Sequence, residues 1–418
     1  MSTPQLSIYF FLQAGVILLV CRAVGWLARR AGQPQVVGEM IAGVALGPSL
    51  FGALFPQAQA ALFPKESLDM LYVAGQVGVG LYMFLVGTEF RADQFRSRYR
   101  SALAVSWAGI AVPFLLAFAL APWLQHVPGL FSDQTRFFEV ALFLGAAIAI
   151  TAFPMLARII HERGMAGTPL GTLALTAGAM DDAAAWCILA FVLASFGGSW
   201  WQAWLAIGGG LAYLSIMLLA ARRWLAPLGA NLPADGSLPS SQLSLVMALF
   251  FVCAWAMDAI GLHAVFGGFI LGICLPRGAF IERLRERLQP LVVVCLLPLF
   301  FTYSGLKTQL SVFLDPAMLL PAIAVLLASF CGKGVACWAA ARLSGESPRE
   351  SLAVGALMNA RGLMELIIIN IGLQAGVIKP GLFSILVIMA ILTTLMATPL
   401  FNRIMRQRVR APFVAPVE

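Results

Sequence analysis

The sequence predicts an all-α polytopic membrane protein, and three observations carry that prediction. The first is a shortage of charge. Of 418 residues, 61% are hydrophobic and 11% charged, with a mean hydropathy of +0.89, whereas a soluble domain is roughly one quarter charged. The second is that these charges cluster between apolar runs of membrane-spanning length. The third is the alternation of basic residues from loop to loop. Soluble, disordered and coiled-coil folds are excluded by the first observation. A β-barrel is excluded by the runs themselves, which are helix-length and lack dyad alternation.

Thirteen apolar segments can be read off, near 6–28, 34–52, 68–89, 101–124, 137–160, 169–196, 201–221, 240–258, 261–276, 289–306, 314–341, 350–374 and 380–402. Arg29 and Arg30 stop the first, Pro34 opens the second, and Arg91, Arg96, Arg98 and Arg100 separate the third from the fourth. Arg136 precedes the fifth, and Arg158 and Arg163 follow its core. Arg222 and Arg223 close the seventh, and Asp258–Gly261 is a very short break between the eighth and ninth. Arg277, Arg283, Arg285 and Arg287 follow the ninth, Lys307 the tenth, and Arg342 and Arg349 the eleventh. Lys379 precedes the thirteenth, and Arg403, Arg406, Arg408 and Arg410 close it. Twenty basic residues thus fall on one side, against four on the other: Lys65, Arg136, Lys307 and Lys379. The positive-inside rule places the N-terminus outside and the C-terminus in the cytoplasm; the membrane is expected to be a bacterial inner (plasma) membrane.

At about 21 residues per span, no soluble domain of ordinary size fits in what is left. The chain reads as one transmembrane domain over 1–410 with a cytoplasmic tail over 411–418. No cleavable signal is expected, because the first segment lacks a basic leader and exceeds the length of a signal core. The net charge of +8 reports topology and contact with anionic lipid, not nucleic-acid binding. The seven cysteines show no metal-ligand spacing and read as packing residues. No cofactor, resident metal or enzymatic activity is expected.

Subtracting the loop charges leaves Arg22, Lys333 and Arg361 among the 27 basic residues. Arg22 lies about one turn from the end of its segment and can snorkel. Lys333 and Arg361 lie deep, where an ionised side chain is penalised by about 2.5–3.5 kcal/mol even on a lenient scale. Asp181 and Asp182 sit near the middle of the sixth segment, about 100° apart on a helix. They are poorly placed to share one proton, and each calls for its own partner or ligand. A cation beside one of them would hold that one ionised and leave the other open; the bland alternative is that both satisfy fixed ion pairs. Arg361 and Glu365 are spaced i, i+4 and either neutralise each other locally or serve a site. Glu39, about a turn and a half into the second segment, reads as a helix–helix contact or an accessory group.

Two segments carry interruptions at similar depth: Thr151-Ala-Phe-Pro154, where Pro154 is expected to kink the helix, and Asn359-Ala-Arg-Gly362. They lie about 208 residues and seven segments apart, and an odd offset means opposite orientation in the membrane. That is the pattern of an inverted-topology repeat with two broken, crossing helices. It pairs segments 1–6 with 8–13, and brings the aspartates of the sixth and Lys333 of the eleventh beside both breaks.

Several stretches carry a family resemblance. Ala179-Met-Asp-Asp-Ala-Ala-Ala-Trp186 resembles the ion-site helix of monovalent cation:proton antiporters, in the branch of the Kef-, NapA- and plant CHX-like proteins. Thr151-Ala-Phe-Pro-Met-Leu-Ala-Arg158 resembles their crossing-helix motif. Pro34-Gln-Val-Val-Gly-Glu-Met-Ile-Ala-Gly43, Ile260-Gly-Leu-His-Ala-Val-Phe-Gly-Gly-Phe269 and Asn359-Ala-Arg-Gly-Leu-Met-Glu365 match in order along nearly the whole chain. The resemblance implies the NapA/NhaA-like antiporter fold. Its parts would be scaffold and dimerisation helices over about 1–92 and 240–306, core ion-transport helices over about 101–196 and 314–402, and a linker over about 201–221. It implies a homodimer and an elevator-type motion. Asp182 would be the main carrier of cation and proton, with Asp181 paired to Lys333, as in electrogenic exchangers. Nucleotide or glutathione gating of the Kef kind is not implied, since Kef proteins carry Gln-Asp and a further C-terminal domain. The Asn359–Glu365 stretch looks most like the CHX branch, which keeps potassium beside sodium and lithium as a substrate.

On this reading deprotonated Asp182, Thr151 and freed carbonyls of the fifth segment would bind the cation, and protonation would release it. Two rivals belong to other classes. A sodium-coupled organic-solute symporter could share the architecture. An intramembrane aspartyl protease needs its two aspartates on separate helices facing one water, which adjacent residues do not provide.

Overall fold

The computed structural model describes residues 3–89, 95–165, 167–195, 200–230, 238–260, 264–308, 313 and 315–405. These residues are almost entirely helical, and the described part has no strand beyond one isolated antiparallel bridge, Phe131 with Ile378.

The main helices are α1 Thr3–Arg30, α2 Gln35–Leu46, α3 Leu68–Glu89, α4 Phe95–Leu124, α5 Phe137–Ala149, α6 Phe153–Glu162, α7 Pro169–Ser195 and α8 Trp200–Ile216. They continue as α9 Ser240–Ala259, α10 Ala264–Cys274, α11 Ala279–Leu291, α12 Leu297–Leu306, α13 Pro316–Leu327, α14 Lys333–Leu343, α15 Pro348–Leu357, α16 Leu363–Gln374 and α17 Pro380–Met405. Each of the thirteen expected segments contains at least one of them. Thirteen spans are not all recovered: among the described residues eight helices are by length and composition long and apolar enough to cross a membrane, or nine with the bent pair Gly208–Ala221 and Arg223–Gly229. The physical reason lies partly in the interruptions. The fifth and twelfth segments are each divided into two short helices, and the apolar helices Phe137–Ala149 and Ala264–Cys274 are too short alone.

Local chemistry sets the helix boundaries. Pro316 and Pro348 occupy the first helical position, where a missing N–H is harmless. Asp315 accepts from Ala317 N at 2.9 Å to cap α13, and Ser347 accepts from Glu350 N at 3.3 Å to cap α15. Asp258 Oδ1 accepts from Ala264 N at 2.7 Å, at the start of α10. Arg30 lies over the Trp26 ring at 3.7 Å, at the end of α1.

The chain divides into two compact units. Unit 1 comprises Met1–Val20, Pro56–Arg91 and Ala190–Tyr303; unit 2 comprises Cys21–Phe55, Ala92–Leu189 and Ser304–Glu418. Within unit 1, α3 and α10 pack backbone to backbone: a methyl group at Gly87 would run into Phe269 O, and one at Gly272 into Phe84 O. Within unit 2, α4 packs on α5 and α14, α14 on α15, and α17 on α13, α15 and α16. An apolar cluster including Leu156, Ile160, Leu173, Ala177, Val354 and Phe401 fills the space among α6, α7, α15 and α17.

Candidate functional site

The expected crossing lies inside unit 2. α5 stops at Ala149, the chain runs extended through Ile150 (φ −75°, ψ 133°), and α6 begins at Phe153. On the opposing chain α15 stops at Leu357 and α16 begins at Leu363. The two interruptions touch: Ala152 N donates to Ala360 O at 3.0 Å. Pro154 does not kink a continuous helix as expected. It stands in the first turn of α6, where the absent N–H would have no partner anyway; its ring lies outside the described side chains. Gly362 precedes α16, and a methyl group there would meet Met155 Cγ at 2.6 Å, so a small residue lets the second break pass against α6.

Asp181 of α7 and Lys333 of α14 meet beside this crossing. Lys333 Nζ lies 2.7 Å from Asp181 Oδ2, with both side chains fully buried. Thr151 Oγ1 lies 2.9 Å from the same oxygen and 3.0 Å from Met358 O, so its hydroxyl joins the aspartate to the opposite break. Lys333 Nζ also donates to Gly109 O of α4 at 3.3 Å and to Ala149 O. A π-helical turn, Ala328–Gly332, leads directly into Lys333. Asp181 Oδ1 is buried and accepts no hydrogen bond from a described residue. Asp182 is the next residue of α7, and its side chain lies outside the described ones.

Arg361 is also fully buried. Its Nη1 donates to Ala147 O at 3.1 Å and Ile150 O at 3.0 Å, and its Nη2 to Ile148 O. With Lys333 on Ala149 O, two cationic side chains cover the last carbonyls of α5, the negative end of its dipole. Four of the carbonyls expected to be free for a transported cation, those of Ala147 to Ile150, therefore already accept hydrogen bonds. Glu365, in the first turn of α16, has Oε2 3.7 Å from Arg361 Nη1. The pair faces as its i, i+4 spacing suggested, but at a separation longer than a hydrogen bond. Asn359 Nδ2 donates to Gly355 O at 3.0 Å, while its Oδ1 is buried without a described donor.

Glu39 belongs to unit 2 and is not part of this cluster. It is buried, with Oε1 accepting from Gln35 Nε2 at 2.9 Å on its own helix. Sequence reasoning missed Thr394 of α17. Its Oγ1 accepts from Arg361 N at 2.9 Å and lies 3.0 Å from Arg361 O, tying the second break to the last helix. The adjacent Thr393-Thr394 pair in an apolar run was its available signal. The backbone acceptors Gly109 O and Ala147–Ile150 had none, since any residue supplies a carbonyl.

The family described as sodium/hydrogen exchanger, transmembrane, matches residues 15–407. The chain is 38% identical over 391 residues to the Na(+)/H(+) antiporter NhaS4 of Synechocystis sp., covering 93% of this chain and 95% of that protein. It is 33% identical to Cation/H(+) antiporter 20 of Arabidopsis thaliana and 30% identical to K(+)/H(+) antiporter 1 of Saccharomyces cerevisiae, over 93% and 100% of this chain. It spans about half the length of those two, 47% and 49%. In fold it matches the sodium proton antiporter MjNhaP1 from Methanocaldococcus jannaschii with a TM-score of 0.67 at 16% identity, over 94% of this chain and 96% of that one. The buried ion pair at the crossing of two broken helices thus stands in an integral membrane protein that belongs to the sodium/hydrogen exchanger family.

Proposed function

We propose that this protein exchanges a monovalent cation, sodium, lithium or potassium, for protons across a bacterial plasma membrane, with net movement of charge. The carrying observation is the fully buried Asp181–Lys333 pair, 2.7 Å apart beside the crossing, with a second acid next to it on α7. A lysine held by one aspartate leaves the other, Asp182, to bind cation and proton in turn. Thr151 supplies a hydroxyl oxygen from the first break. Lys333, Arg361 and Glu365 compensate charge, while Pro154, Asn359 and Gly362 shape the crossing, and Glu39 is an accessory group. The names of the relatives include both sodium and potassium antiporters, and the Asn359–Glu365 stretch keeps potassium in the set.

The core helices, about 101–196 and 314–402, move as an elevator against scaffold helices at about 1–92 and 240–306, with 201–221 as linker. The protein works as a homodimer in lipid, N-terminus outside and C-terminus in the cytoplasm. Reconstituted in proteoliposomes, it should show proton flux driven by a cation gradient with no organic solute present, and an imposed voltage should change the rate. A requirement for an organic solute would replace antiport by symport. Asp182→Asn should abolish exchange while leaving the protein folded in detergent; retained exchange would overturn the assignment of Asp182.

A further inference from the structure

The exchange proposed above gives Glu365 no task beyond offsetting charge, and its surroundings fit another. The side chain is fully buried, and neither carboxylate oxygen accepts a hydrogen bond from a described residue. Arg361 Nη1 stays 3.7 Å away because the guanidinium is turned onto Ala147, Ile148 and Ile150. The helix end has taken the arginine that the sequence spacing assigned to the glutamate. An ionised carboxylate with unsatisfied oxygens in a low-dielectric interior is strongly disfavoured, and binding a proton relieves it directly. A transported cation suits the place less well. Arg361 repels it, and the carbonyls that would complete its shell are engaged.

Among the described side chains, the charged groups acting on Glu365 are Arg361, at the entrance to α16, and Lys333 of α14. Asp181 of α7 acts on Arg361 in turn. Of the helices packed on α16, α5 has no ionisable residue after Glu139 and α17 none before Arg403. Among these four side chains, two cations face two acids. A cation entering beside Asp181 and Asp182 adds positive charge, which a proton leaving this cluster would offset.

We infer that Glu365 is a second proton-binding group of the transport core, protonated while the cation site is empty and releasing its proton as the cation enters. Uptake forms one O–H bond on a carboxyl oxygen and breaks none in the protein; the proton comes from water and returns to it. The inference rests on the antiport reading, which leaves this proton unassigned.

The test compares wild type with Glu365→Gln and Glu365→Asp in liposomes, with sodium and potassium supplied in turn. Exchange is followed against pH, and infrared difference spectra between acid and alkaline buffer follow neutral carboxyl groups. Glu365→Gln should still exchange, with its half-maximal pH displaced by about one unit, fewer protons moved per cation, and one neutral-carboxyl band lost. Glu365→Asp should restore a displaced band and the wild-type proton count. An unchanged pH profile and spectrum would overturn the inference. So would an equal loss of rate at every pH with the band intact, the behaviour of a fixed counter-charge. Should Glu365→Gln fail to fold, the Glu365→Asp band carries the same decision. Absence of cation-driven proton flux in wild type would instead sink the antiport reading, and the infrared band would still decide whether Glu365 binds a proton.

Discussion

Lys333 serves three acceptors: a carboxylate on α7, the Gly109 carbonyl of α4 and the last carbonyl of α5. Removing it leaves the Asp181 carboxyl buried without its cation, a loss of about 3–5 kcal/mol for a broken buried pair. Lys333→Met should therefore lower the melting temperature in detergent markedly. Asp181→Asn with Lys333→Met should recover most of the loss, since two neutral groups of similar volume replace two charges; additive losses in the double variant would show that the pair is not the energetic unit. At this scale the sequence was informative where the penalty for a misplaced charge is large. Asp181, Lys333, Arg361 and Glu365 stood out because nothing in a loop explained them. The partner of Arg361 did not, because the spacing offered Glu365 whereas the competing acceptors were backbone carbonyls, which carry no residue signature.

The two broken helices depend on contacts supplied by other elements. Thr394 of α17 accepts from the N–H of Arg361, a backbone group that the interruption leaves outside a helix, and its single hydroxyl proton is shared between Arg361 O at 3.0 Å and Ala390 O at 2.8 Å. Thr394→Val should cost about 1–3 kcal/mol, the range for buried backbone groups left without a partner, while Thr394→Ser should stay near wild type. Equal melting temperatures for the two variants would remove the tie from this account. A second dependence lies between α2 and α12 in unit 2, where a methyl group on Gly305 would overlap the backbone of Gly43. Gly305→Ala should reduce folded yield more than an alanine substitution at Gly208, which meets nothing within 4 Å. The helices were legible because apolar runs bounded by charge and proline mark their ends. The place of the first break was misread: Pro154 drew attention to itself, but the chain leaves the helix at Ile150, in a run of small and β-branched residues no different in composition from the helix before it.

For the whole molecule, the distribution of basic residues makes a claim that accessibility can check. In a cysteine-free background, Lys65→Cys should react with an impermeant thiol reagent added outside intact cells, and Arg277→Cys only after the membrane is opened. The reverse pattern would invert the proposed orientation. The division into two units falls inside α1, α7 and α12, which periodicity could not reveal because a continuous helix gives no sign of changing neighbours along its length. One further consequence concerns time rather than energy. The bond from Ala152 N to Ala360 O spans 208 positions of chain, and Ser132 N to Val377 O and Lys379 N to Leu130 O join the same two stretches at a second place. Neither pair can open by fraying of one helix; both halves must part. In deuterated buffer these amides should retain their protons after the ends of α1 and α17 have exchanged, giving an internal clock for how long the two halves stay together.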